Sequence, residues 1–536
     1  AHSNGQSGRL MKNNIKNIFW WSLVMCVSLL NAQSAVARDA LTKQLILRMA
    51  GDSTRHAQSI RARQVLADVR LPDGTALHVV RRLSGDANEF VVRLPAAVSQ
   101  EKAGEIARQI AADPGILSAE PDRRRYPALV PNDPGYLGSP PNFINQWNLF
   151  EDAGGIRMQE GWDLTTGSSA VTIALLDTGI LEHRDLNPAR IQDGYDFISD
   201  PDTANDGDGR DPDPTDAGDA VAADECSKGS PADDSSWHGL TVAGIMVAES
   251  DNNLDIAGID FSANLLPVRV LGKCGGLVSD IVDAIRWSVG LHIDGVPDNP
   301  SPAKVVNLSL SGSGNCSSSE QRAINDAIKA GAVVVVAAGN ENVDVATQSP
   351  ANCDNVIVVG ATNRSGSRAS YTNFGEQIDL SAPGGESGDG LLTLSNNGQQ
   401  DAGRDIVGVS IGTSYTTAQV SAVASLMFSL DATLTPDMVE GLLRQTTRAF
   451  PDSSCTTSSC GSGILDALAV LTGALDPVSI LGATANTGKS SDGSGGGGGC
   501  SMSGNRSTDP FLLLLLFAGL AGITRRRLTE VIRNRS

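Results

Sequence analysis

Basic side chains are scarce in this sequence, and so are aromatic ones. Lys and Arg number 41 against 61 Asp and Glu, a formal net charge of −20, and Phe, Trp and Tyr together make up 4% of the chain. Binding to a phosphate backbone needs clustered Lys and Arg, so this balance argues against nucleic acid as a partner. Histidine is rare as well, with 6 residues, and neither a His cluster nor a C-x-x-C pair occurs, which leaves a zinc site without a ligand set. The apolar stretch Phe511–Ile523 falls short of the ~20 residues that cross a bilayer comfortably. Glycine, by contrast, is abundant at 57 residues, as suits a loop-rich α/β architecture with flexible tails. An acidic surface keeps a protein soluble and offers sites to cations. The length of 536 residues implies several segments.

The N-terminal stretch from Met11 has Lys12 and Lys16, an apolar core from Ile18 to Leu30 and then Ala35-Val36-Ala37. That is the pattern of a secretory signal over 11–37, cut after Ala37, with residues 1–10 upstream and set aside from the fold. Between 38 and 127 the character changes. KQLILRM (43–49), NEFVVRLP (88–95) and the run beginning GILSAEP (115–121) read as strands, and 99–116 as a helix closed by Asp-Pro-Gly. This small α+β unit carries 15 Lys and Arg against 11 Asp and Glu over 38–125, a charge opposite to that of the rest. A main domain over 128–475 follows, then a Gly/Ser-rich linker to 508 and a hydrophobic tail over 509–536 that ends in Arg525–Arg527 and further basic residues.

The main domain alternates strands (171–176, 265–270, 304–310, 333–338, 355–360) with helices (238–250, 279–290, 319–330, 414–430). Runs such as VVVVAA and VIVVGA are apolar at every position, as strands buried on both faces are. The expected architecture is therefore α/β, a doubly wound and mostly parallel sheet with ligands bound at its strand ends. Three segments carry chemistry there. Asp177 ends the apolar run 171–176 before Gly179, His238 opens a helix, and Ser414 follows Gly412-Thr413 at the start of another. A serine hydroxyl is a poor nucleophile until a histidine takes its proton and a carboxylate orients that histidine, and Asp-His-Ser is one of the chain orders in which such triads occur. Taken singly, each residue is explained as a turn, a helix opening or an N-cap. Their combination points to nucleophilic catalysis.

With two further blocks these segments resemble the subtilisin-like serine proteases, over roughly Pro131 to Leu475. AVVVVAAGNEN (332–342) is similar to the family's oxyanion strand and loop, which implies Asn340 as oxyanion donor. RVLGKCGGLVSDIVDAIRWS (269–288) is similar to its substrate-pairing edge, implying Gly275, Gly276 and Leu277, and NLSLSGSG (307–314) to the opposite edge, implying Ser309, Leu310 and Ser311. The resemblance implies a secreted serine endopeptidase acting on proteins and peptides through an acyl-enzyme, with 38–127 as an inhibitory propeptide that it removes itself. Two positions depart from the pattern: Leu240 where the family has Thr after His-Gly, and Ala418 where it has Pro behind the serine. They leave open the alternative of a catalytically impaired surface module that binds peptides.

The aspartate-rich, glycine- and proline-punctuated loop 195–220 has the hard oxygen ligands that calcium takes, with Asp206, Asp208, Asp211, Asp213, Asp216 and Asp219 as candidates. A solvated acidic loop is the alternative. HRDL (183–186) resembles the family's calcium motif, implying Asp185 as a ligand with Gln146. Export permits disulfides. Cys455 and Cys460 can close a small loop, while Cys226, Cys274, Cys316 and Cys353 allow three pairings. Resemblance to secreted bacterial members favours Cys226–Cys274 and Cys316–Cys353. The tail, with Cys500 in a glycine run before the apolar stretch, resembles bacterial sorting tails of the Gly-Cys (JDVT-CTERM-like) type, which implies export and sorting machinery as partners and processing near Cys500. A plain transmembrane anchor is the alternative.

Overall fold

The protein is described by a computed structural model covering residues 42–49, 77–83, 88–122, 129–138 and 145–484. The secretory signal, the linker, Cys500 and the apolar tail lie outside the described residues. Among the described residues no helix is long and apolar enough to cross a membrane.

The N-terminal segment folds around its own core. Strands β1 (Thr42–Met49), β2 (His78–Arg82), β3 (Glu89–Val98) and β4 (Ile116–Pro121) form an antiparallel sheet in the order β2-β3-β1-β4. Leu45, Leu47, Phe90, Val92 and Leu94 project from alternate positions onto Ala103, Ile106, Ala107 and Ile110 of helix α1 (Gln100–Ala111). Ser99 caps α1 by accepting from the Lys102 N–H at 3.2 Å. The helix stops five residues before the Ile116 expected from sequence, because Pro114 disfavours a helical Asp113. Residues 112–115 instead make a turn in which the Asp113 carboxylate accepts from the Gly115 N–H at 2.7 Å.

The main domain is built on a seven-stranded parallel sheet. Its strands are β5 (Thr172–Asp177), β6 (Tyr195–Asp196), β7 (Asn264–Arg269), β8 (Val305–Leu308), β9 (Val333–Ala337), β10 (Ile357–Thr362) and β11 (Leu380–Pro383), in the order β11-β10-β9-β8-β5-β7-β6. Strand alternation divides the apolar residues between two layers. Ile173, Leu175, Val305, Val333 and Val335 face helices α2 (His238–Val247) and α5 (Thr413–Leu430). Ala174, Leu176, Val306, Val334 and Val336 face α3 (Val278–Ser288) and α4 (Ser318–Lys329). Each fully buried Val or Leu contributes about 1.5–3 kcal/mol. The doubly wound parallel sheet expected from the sequence is thus present.

Helix α5 is buried along nearly its whole length, and its small residues Ala418, Ser421, Ala422 and Ser425 are fully enclosed. Helix α2 is shorter than the sequence suggests. It ends at Val247 because the next free amide, Glu249 N–H, is captured by the Asp185 carbonyl at 2.8 Å. Strands β6 and β11 and the hairpin of β12 (Leu391–Asn396) with β13 (Asp405–Ser410) are additional to the expected elements. The three disulfides are Cys226–Cys274, Cys316–Cys353 and Cys455–Cys460.

Candidate active site

Asp177, His238 and Ser414 come from β5, α2 and α5, elements separated by 60 to 180 residues of chain and joined by the sheet. The Asp177 side chain is wholly buried, and its Oδ1 lies 2.7 Å from His238 Nδ1. The same oxygen accepts from the Thr178 N–H at 2.8 Å, which fixes the carboxylate plane at the strand end. With Nδ1 held by a carboxylate, the neutral imidazole keeps its proton on that nitrogen and leaves Nε2 as the basic position. Tyr415, the residue after Ser414, lies tilted against the His238 ring at 6.1 Å between centroids.

Burial lowers the pKa of His238, but the Asp177 charge and hydrogen bond, with Asp219 and Asp216 adding to them, outweigh it and leave it raised. A general base must be neutral to accept a proton. The rising limb of activity against pH is therefore expected above the value of an unperturbed imidazole, and a kcat/KM profile checks it. An activity limb below that value would contradict the pairing with Asp177.

Ser414 sits at the first turn of α5, nearly buried. Its hydroxyl donates to the Ser309 carbonyl at 3.2 Å, while Ser309 Oγ donates to the Ser414 carbonyl at 2.9 Å and accepts from Asn307 Nδ2 at 2.9 Å. Asn307 Oδ1 accepts in turn from Ser421 Oγ at 2.9 Å. This buried polar chain locks β8 to α5 around the serine. It also explains why β8 ends at Leu308 rather than at 310: Ser309 leaves the ladder to grip Ser414.

Asn340 follows β9 on an exposed turn. Its Oδ1 accepts from both the N–H and the Oγ1 of Thr413, each at 2.9 Å. Thr413 Oγ1 also accepts from the Gly339 N–H at 3.1 Å. With the carbonyl end of its amide occupied, Asn340 is left with Nδ2 as a donor toward the Gly412 side, where a Cβ on Gly412 would come within 3.5 Å of it. A side-chain N–H and the backbone N–H groups at the start of α5 thus converge beside the serine, an arrangement able to hold a negative oxygen.

The two candidate edges differ in availability. Gly275 is spent on a tight turn: it exchanges backbone hydrogen bonds with Gly272 at 3.0 Å in both directions, with Cys274 at φ 64° and Gly275 at φ 97°. Gly276 and Leu277 follow, and Leu277 is 52% exposed. On the other candidate edge Ser311 is exposed and Leu310 half-buried.

In the loop 195–220 the aspartates offered as calcium ligands also have protein partners. Asp206 pairs with Arg269 Nη1 at 2.6 Å, Asp216 accepts from Thr178 Oγ1 at 2.6 Å, and Asp219 accepts from the Ser236 N–H and Oγ at 2.6 and 2.7 Å. Asp211 and Asp213 close turns on the amides of Asp213 and Thr215, at 2.7 and 3.0 Å. Asp208 stays on the surface, and the Asp211 charge raises its pKa. The Asp185–Gln146 pair fares similarly: Asp185 accepts from Asn252 Nδ2 at 2.7 Å and the Ile256 N–H at 3.0 Å, and the Gln146 amide bonds both backbone groups of Ala257. Asp185 is buried, which pushes its carboxyl up to about 6. Among the described residues no group of three or more His, Cys, Asp or Glu could hold a metal ion.

Sequence reading passed over Thr178, Thr413 and Arg269. Thr178 and Thr413 are each adjacent to a candidate catalytic residue, and their hydroxyls accept from the Gly239 and Gly339 N–H groups, each beside a further candidate. Their only sequence signal is that adjacency. The two departures noted in sequence, Leu240 and Ala418, are wholly buried in the core behind the site and carry no polar atom toward it.

The Subtilase family pattern matches residues 168–469, more than half of the chain. Over 401 residues the chain is 45% identical to "Extracellular protease" of Xanthomonas campestris, covering 75% of this chain and 66% of that one. It is 39% identical over 436 residues to "Extracellular basic protease" of Dichelobacter nodosus, covering 79% of this chain and 69% of that one. The chain thus spans about two thirds of the length of these two relatives. A solved protease structure from Pseudoalteromonas arctica is 47% identical, with a TM-score of 0.61, covering 65% of this chain and 100% of that one. With its fold, residue order and site geometry, the chain belongs to the subtilase family.

Proposed function

We propose that this protein is a secreted serine endopeptidase that cleaves peptide bonds through an acyl-enzyme and is made as an autoprocessed preproprotein. The observation that carries the reading is the Asp177–His238 pair at 2.7 Å, its carboxylate buried, set beside a serine whose backbone is locked from both sides. Ser414 leaves the Ser309 carbonyl and attacks the scissile carbonyl as His238 takes its proton. Asp177 holds the imidazole and offsets the charge that it gains. Asn340 Nδ2 and the Ser414 N–H receive the oxyanion, and His238 then returns the proton to the leaving amine. A peptide would pair in extended form between Gly276–Leu277 and Ser309–Ser311.

The segment 38–127 acts as an intramolecular inhibitor, supported by its separate core and its charge, opposite to that of the domain that follows. Export is supported by the names of the two extracellular relatives. The tail around Cys500 sorts or anchors the protein. Calcium enters no step.

Asn340→Ala tests the oxyanion assignment. Turnover is expected to fall by about 2.7–4 kcal/mol of barrier, the size known for this kind of donor in subtilisin, with KM nearly unchanged because the contact forms in the transition state. Steady-state kinetics on a peptide anilide measure both. A rise in KM at unchanged kcat would remove Asn340 from that role.

A further inference from the structure

The hydroxyl of Thr178 joins three parts of the protein. It donates to Asp216 Oδ2 at 2.6 Å and accepts from the Gly239 N–H, in the first turn of α2, at 3.0 Å. Its own residue also supplies the amide that holds Asp177, and its carbonyl accepts from Arg269 Nε at 3.1 Å. Asp216 is 3% exposed, and both of its oxygens are occupied as acceptors, since Oδ1 takes the Gly218 N–H at 2.9 Å. A hydroxyl has one proton. Because the carboxylate takes it, the Thr178 oxygen can only accept from Gly239. The contact is close: a Cβ on Gly239 would lie 1.9 Å from the Gly179 carbonyl, so α2 begins flush against the Asp177-Thr178-Gly179 turn.

We propose that Asp216 is a positioning residue for His238, acting through Thr178 to set the start of α2 against the strand end that carries Asp177. The inference rests on the protease reading above and deepens it, giving part of the aspartate-rich loop a role in the reaction. The groups facing this corner are Asp177 from β5, Arg269 from β7, Asp219 from the same loop and His238 from α2, with Tyr415 from α5 against the imidazole. Asp216 and Asp219 both add to the field that favours protonated His238.

Asparagine cannot replace this carboxylate. Its NH2 group would face either the Gly218 N–H, donor against donor, or the Thr178 hydroxyl, whose proton then loses its acceptor. The fully processed protein carrying Asp216→Asn is therefore expected to lose about ten- to hundredfold in kcat on a peptide anilide, the scale of a small misplacement, with KM within about twofold. The acidic limb of its pH profile is expected at lower pH, since one negative charge near the imidazolium is gone. Thr178→Val is expected to match Asp216→Asn in kcat, Thr178→Ser to stay near wild type, and the Asp216→Asn/Thr178→Val double to fall no further than either single variant. Should Asp216→Asn fail to fold, the Thr178 pair carries the comparison with Asp216 intact.

A folded Asp216→Asn with wild-type kcat and pH limb would overturn the proposal, as would losses that multiply in the double variant. So would recovery of Asp216→Asn activity on adding calcium, because Asp216 would then be a metal ligand. Labelling by a serine-reactive fluorophosphonate separates this result from the parent reading. Wild-type protein that neither labels nor cleaves defeats the protease assignment, whereas labelled, active wild type beside an unaffected Asp216→Asn defeats only the positioning role.

Discussion

Replacing Ser414 by alanine is expected to lower turnover by about a million-fold while leaving the protein folded. The magnitude is the one known for loss of the nucleophile in a subtilisin. The prediction for this chain comes from its geometry. His238 is held by Asp177, and the oxyanion donors of Asn340 and α5 remain, yet no other hydroxyl stands in the place of Ser414. Structurally the substitution removes one hydrogen bond, from Oγ to the Ser309 carbonyl at 3.2 Å, a loss on the order of 1 kcal/mol. The grip of Ser309 Oγ on the Ser414 carbonyl survives. Thermal unfolding should therefore change little. The same variant should retain the segment 38–127, because one nucleophile is proposed to cut substrate and propeptide alike, and mass spectrometry of the purified protein reads that directly. A Ser414→Ala protein that releases its N-terminal segment when purified alone would assign the cut to another enzyme.

Arg269→Met should be the most damaging single change to stability. Arg269 is buried at the end of β7, with Asp196 and Asp206 on Nη1, the Ala204 carbonyl on Nη2 and the Thr178 carbonyl on Nε. Removing one partner of such a buried cluster leaves charge without compensation and costs about 3–5 kcal/mol. The loss should depend on pH. Burial, partly offset by the Arg269 charge, already pushes the Asp196 carboxyl up to about 7. A carboxyl whose folded pKa exceeds its unfolded value takes stability away as pH rises between the two values, and no more above the folded one. Without Arg269 the folded value climbs further, so the variant can avoid a buried charge only by protonating Asp196. Chemical denaturation at about pH 5.5 and about pH 8.5 should show the larger deficit at the higher pH. Equal deficits at the two values would mean that Asp196 is not what the arginine compensates.

Legible in the residues alone were the sheet, the polarity of its faces and the three candidate reacting side chains. Strands such as Val333–Ala337 are apolar at every position, as strands of a sheet covered on both sides are. Asp177, His238 and Ser414 could be picked out because each stands where a strand ends or a helix begins, the places where side chains in such folds reach a ligand. Helix ends were legible where local chemistry sets them, as at Ser99, and misjudged where a distant group does: α2 stops because Asp185, more than fifty residues earlier, captures an amide.

The contacts of the aspartates of 195–220 were not legible before the sheet had been assembled. Their spacing suits calcium, and nothing nearby in sequence distinguishes a ligand from an ion-pair partner. Arg269 and Thr178, brought by β7 and β5, are the partners that Asp206 and Asp216 meet there. Hydrogen bonds between residues far apart in the chain leave no local pattern, so the links from Asp216 through Thr178 to α2, and from Ser421 through Asn307 to Ser309, became visible only once the sheet had brought their members together.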